Sequence, residues 1–246
     1  PAAAGLLFMP PLAGFAWLLQ GLPPPGEADV AARRERAPMD STGRRAFLHR
    51  NAAVLGMVIV AYSGITVLRG LRADFAPELW RALGFGGQPS LFTRSEAWVA
   101  AGVLLANALA VRWHDHHAAF RYGLGVGIGG VLMVLAAMAA RSAGWLGGFG
   151  FMVTLGLGLY LPYVAVHTTL LERLVAGAKD RANLGFVMYL ADAGGYVAYT
   201  SILLLRPAGY GARGSLEGFE SLAWAVCILA AAAFLGAGWR MRRTKT

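Results

Sequence analysis

The sequence predicts an all-α polytopic membrane helix bundle, and three observations carry that expectation. Of the 246 residues, 57% are hydrophobic and only 14% charged, with a mean hydropathy of +0.53, whereas a water-soluble domain carries about 25% charged residues. The apolar residues gather in seven runs, approximately 2–20, 52–71, 96–112, 122–140, 146–171, 184–205 and 221–239. Each is close to the roughly 17 to 25 residues that a bilayer-spanning helix needs. The 22 Lys and Arg fall mostly between the runs instead of along one stripe. The net charge of +9 therefore reads as a topology signal, and nucleic acid is set aside as a partner.

Orientation follows from the basic residues. Fifteen lie in one set of loops: Arg33 to Arg50, Arg112, Arg121, Arg173 to Arg181 and Arg240 to Lys245. The other side holds seven, namely Arg69, Arg72, Arg81, Arg94, Arg141, Arg206 and Arg213. The first set is assigned to the cytoplasm, together with the C-terminal tail. The chain opens at Pro1 without Met and inside an apolar run. The first segment, 1–22, is therefore read as the last transmembrane helix of a truncated N-terminal half, which becomes an expected partner of the rest.

Pro23-Pro24-Pro25-Gly26 ends that helix, because proline removes a backbone donor and crowds the preceding turn. Residues 23–50 then form a cytoplasmic linker, with a mixed-charge stretch from Glu27 to Arg36. A short amphipathic helix capped by Ser41 or Thr42 follows, dividing Arg44 and Arg45 from Phe47 and Leu48. It is expected to lie on the inner membrane surface before the chain turns into the next span. Residues 51–246 are expected to form a six-helix transmembrane domain. On its first helix, Tyr62, Thr66 and Arg69 share a face at i, i+4 and i+7. Arg69 reaches into a cavity or snorkels to the outer interface. Glu96 opens the next span, where a carboxylate suits a helix N-terminus, and Trp80 and Trp98 suit the interfacial belt.

The turn from Arg112 to His117 offers three histidines and an aspartate. Their near-adjacency aims them poorly at one ion, so a solvated turn is preferred and no metal is assigned. In the following span, Gly125-x-Gly127-x-x-Gly130 formally matches a dinucleotide fingerprint. It follows no strand and belongs to no βαβ unit, and glycines spaced this way let membrane helices approach closely. No cofactor is expected. The last span is alanine-rich scaffold, with Cys227 as a small packing residue.

The stretch from Leu155 to Tyr199 is the most informative. Gly156, Tyr160, Tyr163 and His167 line one helical face, and Gly185, Tyr189, Asp192, Tyr196 and Tyr199 line another. Pro162 cannot donate to the carbonyl of Gly158, so a kink is expected between Gly158 and Pro162 that turns Tyr160 or Tyr163 inward. Asp192 lies near the middle of its span. An ionisable group at that depth is expected to face protein or a water-filled cavity, where it marks an ion or substrate pathway or bridges helices through hydrogen bonds.

Several stretches carry a resemblance: Arg69-Gly-Leu-Arg72-Ala-Asp74-Phe75, Leu91-Phe-Thr-Arg-Ser-Glu96, Gly156-Leu-Gly-Leu-Tyr-Leu-Pro-Tyr163, Leu171-Glu-Arg-Leu-Val-Ala176 and Asn183 to Tyr196. Over most of the chain from about Pro38 to Leu205, they resemble a bacterial family of major-facilitator-like membrane proteins of unassigned function. The resemblance implies the twelve-helix facilitator fold, here in part, in a bacterial inner membrane. It implies no substrate and no functional residues. The expected function is secondary transport of a small polar solute, with a proton as candidate coupling ion. Asp192, Tyr189, Tyr196, Tyr199, Tyr160, Tyr163, His167, Arg69, Tyr62 and Thr66 are the candidate pathway. A non-transporting sensing or assembly subunit is the alternative. An enzyme is not expected, since no nucleophile-and-base or metal set converges at one depth.

Overall fold

The computed structural model describes residues 6, 9–27, 30, 39–110, 112, 115–177, 183–205 and 215–243. Arg33, Arg34, Arg36, His114, Lys179, Arg181, Arg206, Arg213 and Lys245 lie outside them, as does most of the mixed-charge stretch. The chain divides into two compact units, Pro1–Ala37 and Pro38–Thr246. In the first, helix α1 (Met9–Gln20) has 12 residues, none of them buried within the unit.

Among its described residues the second unit is built of helices joined by turns, with no strand. Its elements are α2 (Ser41–Asp74), α3 (Ala76–Ala82), α4 (Pro89–Ala110), α5 (His116–Ser142), α6 (Gly148–Ala165), a π-turn (Val166–Leu170), α7 (Leu171–Gly177), α8 (Leu184–Leu205) and α9 (Ser215–Arg243). Five stretches are long and apolar enough to span a membrane: Ser41–Asp74, Ala118–Ser142, Gly148–Ala176, Leu184–Leu205 and Leu216–Arg243. The protein is a multi-pass membrane helix bundle. Seven segments were expected. The run at 96–112 corresponds to α4, whose 22 residues carry Arg94, Glu96 and Asn107. These three polar groups lower its hydropathy.

Two carboxylates set helix starts. The Asp40 side chain accepts the Gly43 N–H at 2.7 Å and caps α2, one residue ahead of the expected Ser41 or Thr42. From there α2 runs unbroken for 34 residues, so the short amphipathic helix expected before the span is its first turns. Asp115 likewise accepts the Ala118 N–H at 2.7 Å and caps α5. The aspartate of the histidine turn thus serves the backbone. Helix α5 ends on Gly144, which takes the left-handed φ of +74° while the Trp145 N–H bonds back to the Ala140 carbonyl at 2.9 Å. Glycine is the residue that adopts this conformation without steric cost.

Helices α2, α6, α5 and α9 pack in a ring, with α4 outside against α6 and α8 outside against α2. Close contacts fix their directions. Gly64 meets Val226 and Gly236 meets Met57, so α2 and α9 are antiparallel; Gly102 meets Leu157 and Gly156 meets Val99, so α4 and α6 are parallel. Helix α4 therefore runs alongside a spanning helix. Gly123, Gly127 and Gly130 of α5 sit in close helix contacts: a Cβ at Gly130 would lie 2.5 Å from Pro162 Cδ and 2.8 Å from the Gly158 carbonyl oxygen. The dinucleotide-like pattern lies wholly inside this helix.

Helix α6 stays α-helical through Gly158 and Pro162, where the kink was expected. Its departure from α geometry comes one turn later, at Val166–Leu170, where the Leu171 N–H bonds to the Val166 carbonyl. Gly158 and Pro162 lie against Gly130 of α5.

Candidate functional site

The side chains gathered between α2, α6 and α8 grow out of the three polar stripes. Tyr62 lies on the buried face of α2. Its ring stacks on Tyr163 of α6 at a centroid distance of 5.4 Å and meets the His167 ring edge-on at 5.0 Å. His167 belongs to the π-turn, which sets the imidazole between α2 and α8. The Tyr62 hydroxyl donates to Asp192 Oδ1 at 2.7 Å. His167 Nε2 lies 2.8 Å from the Tyr62 hydroxyl and 3.1 Å from Asp192 Oδ1.

These contacts restrict where protons sit. An ionised carboxylate only accepts, and the tyrosine has one proton to give. With Asp192 ionised, Nε2 must then be the protonated ring nitrogen, an assignment that comes from the network itself. One further proton can be added without breaking a hydrogen bond. It converts His167 to an imidazolium facing Asp192, or it neutralises the free oxygen of Asp192. Neither group is sealed: relative exposures are 22% for His167 and 34% for Asp192.

Arg69 adjoins this cluster from the same face of α2. Its guanidinium carbon lies 4.3 Å from the centroid of Tyr163 and 5.7 Å from that of Tyr160, within the range of a cation–π contact. Among the described residues it has no carboxylate partner, and its Nε is buried without an acceptor. One turn before it, the Thr66 hydroxyl is also buried without a partner. It packs at the bare α-carbon of Gly195 on α8, where a Cβ would lie 3.2 Å away. The structure thus brings together Tyr62, Thr66, Arg69, Tyr160, Tyr163, His167 and Asp192.

Three expected members do not join them. Tyr189 and Tyr196 are 78% and 59% exposed, because α8 packs through the narrow strip Val187, Ala191 and Gly195. Tyr199 donates its hydroxyl to Asp74 and lays its ring against Gly70, where a Cβ would lie only 2.7 Å away. Two ion pairs went unread in the sequence. Arg72, 2% exposed, donates to Glu96 at 2.7 Å and to the Met152 carbonyl at 3.1 Å, joining α2, α4 and α6. Arg141 grips Glu220 through two hydrogen bonds of 2.6 and 2.7 Å, joining α5 to α9. Their partners are 24 and 79 residues away, beyond the reach of helical periodicity. Among the described residues, no three His, Cys, Asp or Glu side chains cluster as a metal site would require.

An apolar multi-pass bundle with a carboxylate, an imidazole and a guanidinium among its spans is the setting for the comparison with known sequences. The chain belongs to the DUF5690 family. That family of unknown function matches residues 1–243. No match to a curated protein or to a solved structure was found.

Proposed function

We propose that this family member is a secondary transporter of the major facilitator type, moving a small polar solute with a proton as coupling ion. The observation that carries the reading is the Tyr62–His167–Asp192 cluster. Ionisable groups within spanning helices are costly and mark ion or substrate paths, and this one can gain a proton while its hydrogen bonds stay intact. Asp192 and His167 hold the proton, and Tyr62 orients both. Arg69, with Thr66 and the rings of Tyr160 and Tyr163, faces the solute. Its unpaired charge favours a solute with an anionic group. Alternating helix directions in α2, α4 and α5 and again in α6, α8 and α9 support the three-plus-three plan of a facilitator half. In this reading a second six-helix half completes the path, and the side of α8 bearing Tyr189 and Tyr196 lines the cavity between halves. The 15-to-7 distribution of basic residues supports a cytoplasmic C-terminus in a bacterial inner membrane.

The test begins with a panel of small carboxylates and other polar solutes, scored by thermal stabilisation of the purified full-length protein, since a ligand that binds the folded state raises its melting point. With a stabilising solute in hand, Asp192→Asn is expected to abolish pH-driven uptake into liposomes while counterflow persists. Undiminished proton-driven uptake by Asp192→Asn would remove the coupling role. Absence of any solute-dependent stabilisation would favour a sensing or assembly subunit.

A further inference from the structure

At the end of the bundle opposite Asp74, helices α5 and α9 part around a cavity of about 560 Å³, within the roughly 300–1,000 Å³ typical of ligand sites. Its walls are apolar, with Leu124, Ile128, Phe234 and Leu235 among them. Its mouth carries Arg121, one turn into α5, and Arg242, at the last turn of α9. Both arginines are exposed, and among the described residues neither has a hydrogen-bond or carboxylate partner. Next to them Trp239 is half exposed under the Arg243 guanidinium, 3.8 Å from its ring centroid, an arrangement suited to the headgroup layer of a membrane. The cavity is open because Gly125 faces it bare: a Cβ there would meet no atom within 4 Å. Phe234 and Leu124, packed against Gly127 and Gly238, close its floor.

We propose that this groove is a binding site for an anionic phospholipid. One acyl chain occupies the apolar channel between α5 and α9, and Arg121 and Arg242 hold the phosphate. The charge decides the occupant. A partner helix would need no paired cations at the mouth, and a zwitterionic lipid would set its ammonium group against two guanidiniums. Basic pockets between spanning helices at the membrane surface have the chemistry to select anionic headgroups. The site is separate from the Tyr62–His167–Asp192 cluster and stands whether or not the protein transports a solute.

Native mass spectrometry of the purified full-length protein, titrated with phosphatidylglycerol or phosphatidylcholine of the same chain length, reads the preference directly. Wild type is expected to retain phosphatidylglycerol at least tenfold better, as roughly a fivefold gain for each arginine near the surface suggests. Arg121→Gln with Arg242→Gln should erase that preference, and Gly125→Leu should lower retention of both lipids by filling the channel. Inorganic phosphate at millimolar concentration should displace neither, because the acyl chain supplies much of the binding. Equal retention of the two lipids by wild type would overturn the proposal whatever the variants do. A preference unchanged in the double arginine variant would overturn it as well.

Discussion

Where α2 ends, Arg72 and Arg141 are each held against a carboxylate from another helix, and Tyr199 closes on Asp74. At the opposite end, Arg121 and Arg242 flank an open groove with no such partner among the described residues. The same side chain does two jobs in one molecule. Buried among apolar neighbours, the Arg72 guanidinium depends on its acceptors, and its pairing fixes α2, α4 and α6 relative to one another, while the half-buried Arg141 pair ties α5 to α9. At the open end water already satisfies the charge, and the arginines stay free to meet an external anion. One end is clamped and the other is receptive.

The contrast can be broken most severely at Glu96. Glu96→Ala strands the buried Arg72 guanidinium and should cost about 3 kcal/mol of stability, at the low end for a broken buried pair because Glu96 is partly exposed. Unfolding in mild detergent followed by circular dichroism would show it, and pairing the change with Arg72→Met should restore most of the loss. An unchanged melting point would mean that this end is not clamped.

Two glycines five residues apart on α5 sharpen the comparison. Gly130→Ala drives a methyl group into Pro162 and the Gly158 carbonyl and should cost about 2 kcal/mol by overpacking. Gly125→Ala points into the open groove and should leave stability equal or raised by roughly 0.5 kcal/mol through better helix propensity. Similar melting points for the two variants would show that the groove is closed in the protein.

Smaller effects follow at the second clamp and at the receptive end. Glu220→Gln keeps the shape of the Arg141 contact but removes its charge. With both side chains partly accessible to water, a loss of about 1 kcal/mol is expected in the same unfolding assay. Arg242→Gln should change stability by less than about 0.5 kcal/mol, leaving lipid retention as its only marked phenotype.

Spacing in the sequence was enough to place Tyr62, Thr66 and Arg69 on one stripe and Tyr160, Tyr163 and His167 on another, because a helical repeat is a local property. The same rule put Tyr189 and Tyr196 with Asp192, and there it ran short. Periodicity says which residues share a face but not how much of that face is covered. On α8 the covered strip is a single file of three small or branched residues, with Asp192 at its margin and both tyrosines beyond it. The partners of Arg72 and Arg141 were illegible for another reason. Each is chosen by how distant helices pack, and nothing in the residues beside Arg72 names Glu96. The apolar runs revealed the class of fold because burial in lipid demands it of every span.

The π-turn at Val166–Leu170 splits a continuous rod into two angular registers. A turn closed by an i→i+5 bond holds one residue more than an α-turn, so everything past it is rotated by about 100° from where an unbroken helix would put it. The part before the turn is keyed to α2 and α4 through Tyr163 and Leu157, and the part after it is keyed to α5 and α8. Removing a single residue from the turn would keep both parts helical and equally apolar. Yet it would mis-clock one against the other, so that His167 and the α7 contacts could not both be kept. A composition scan would miss such a deletion, whereas the bundle would register it as a gear set one tooth out of phase.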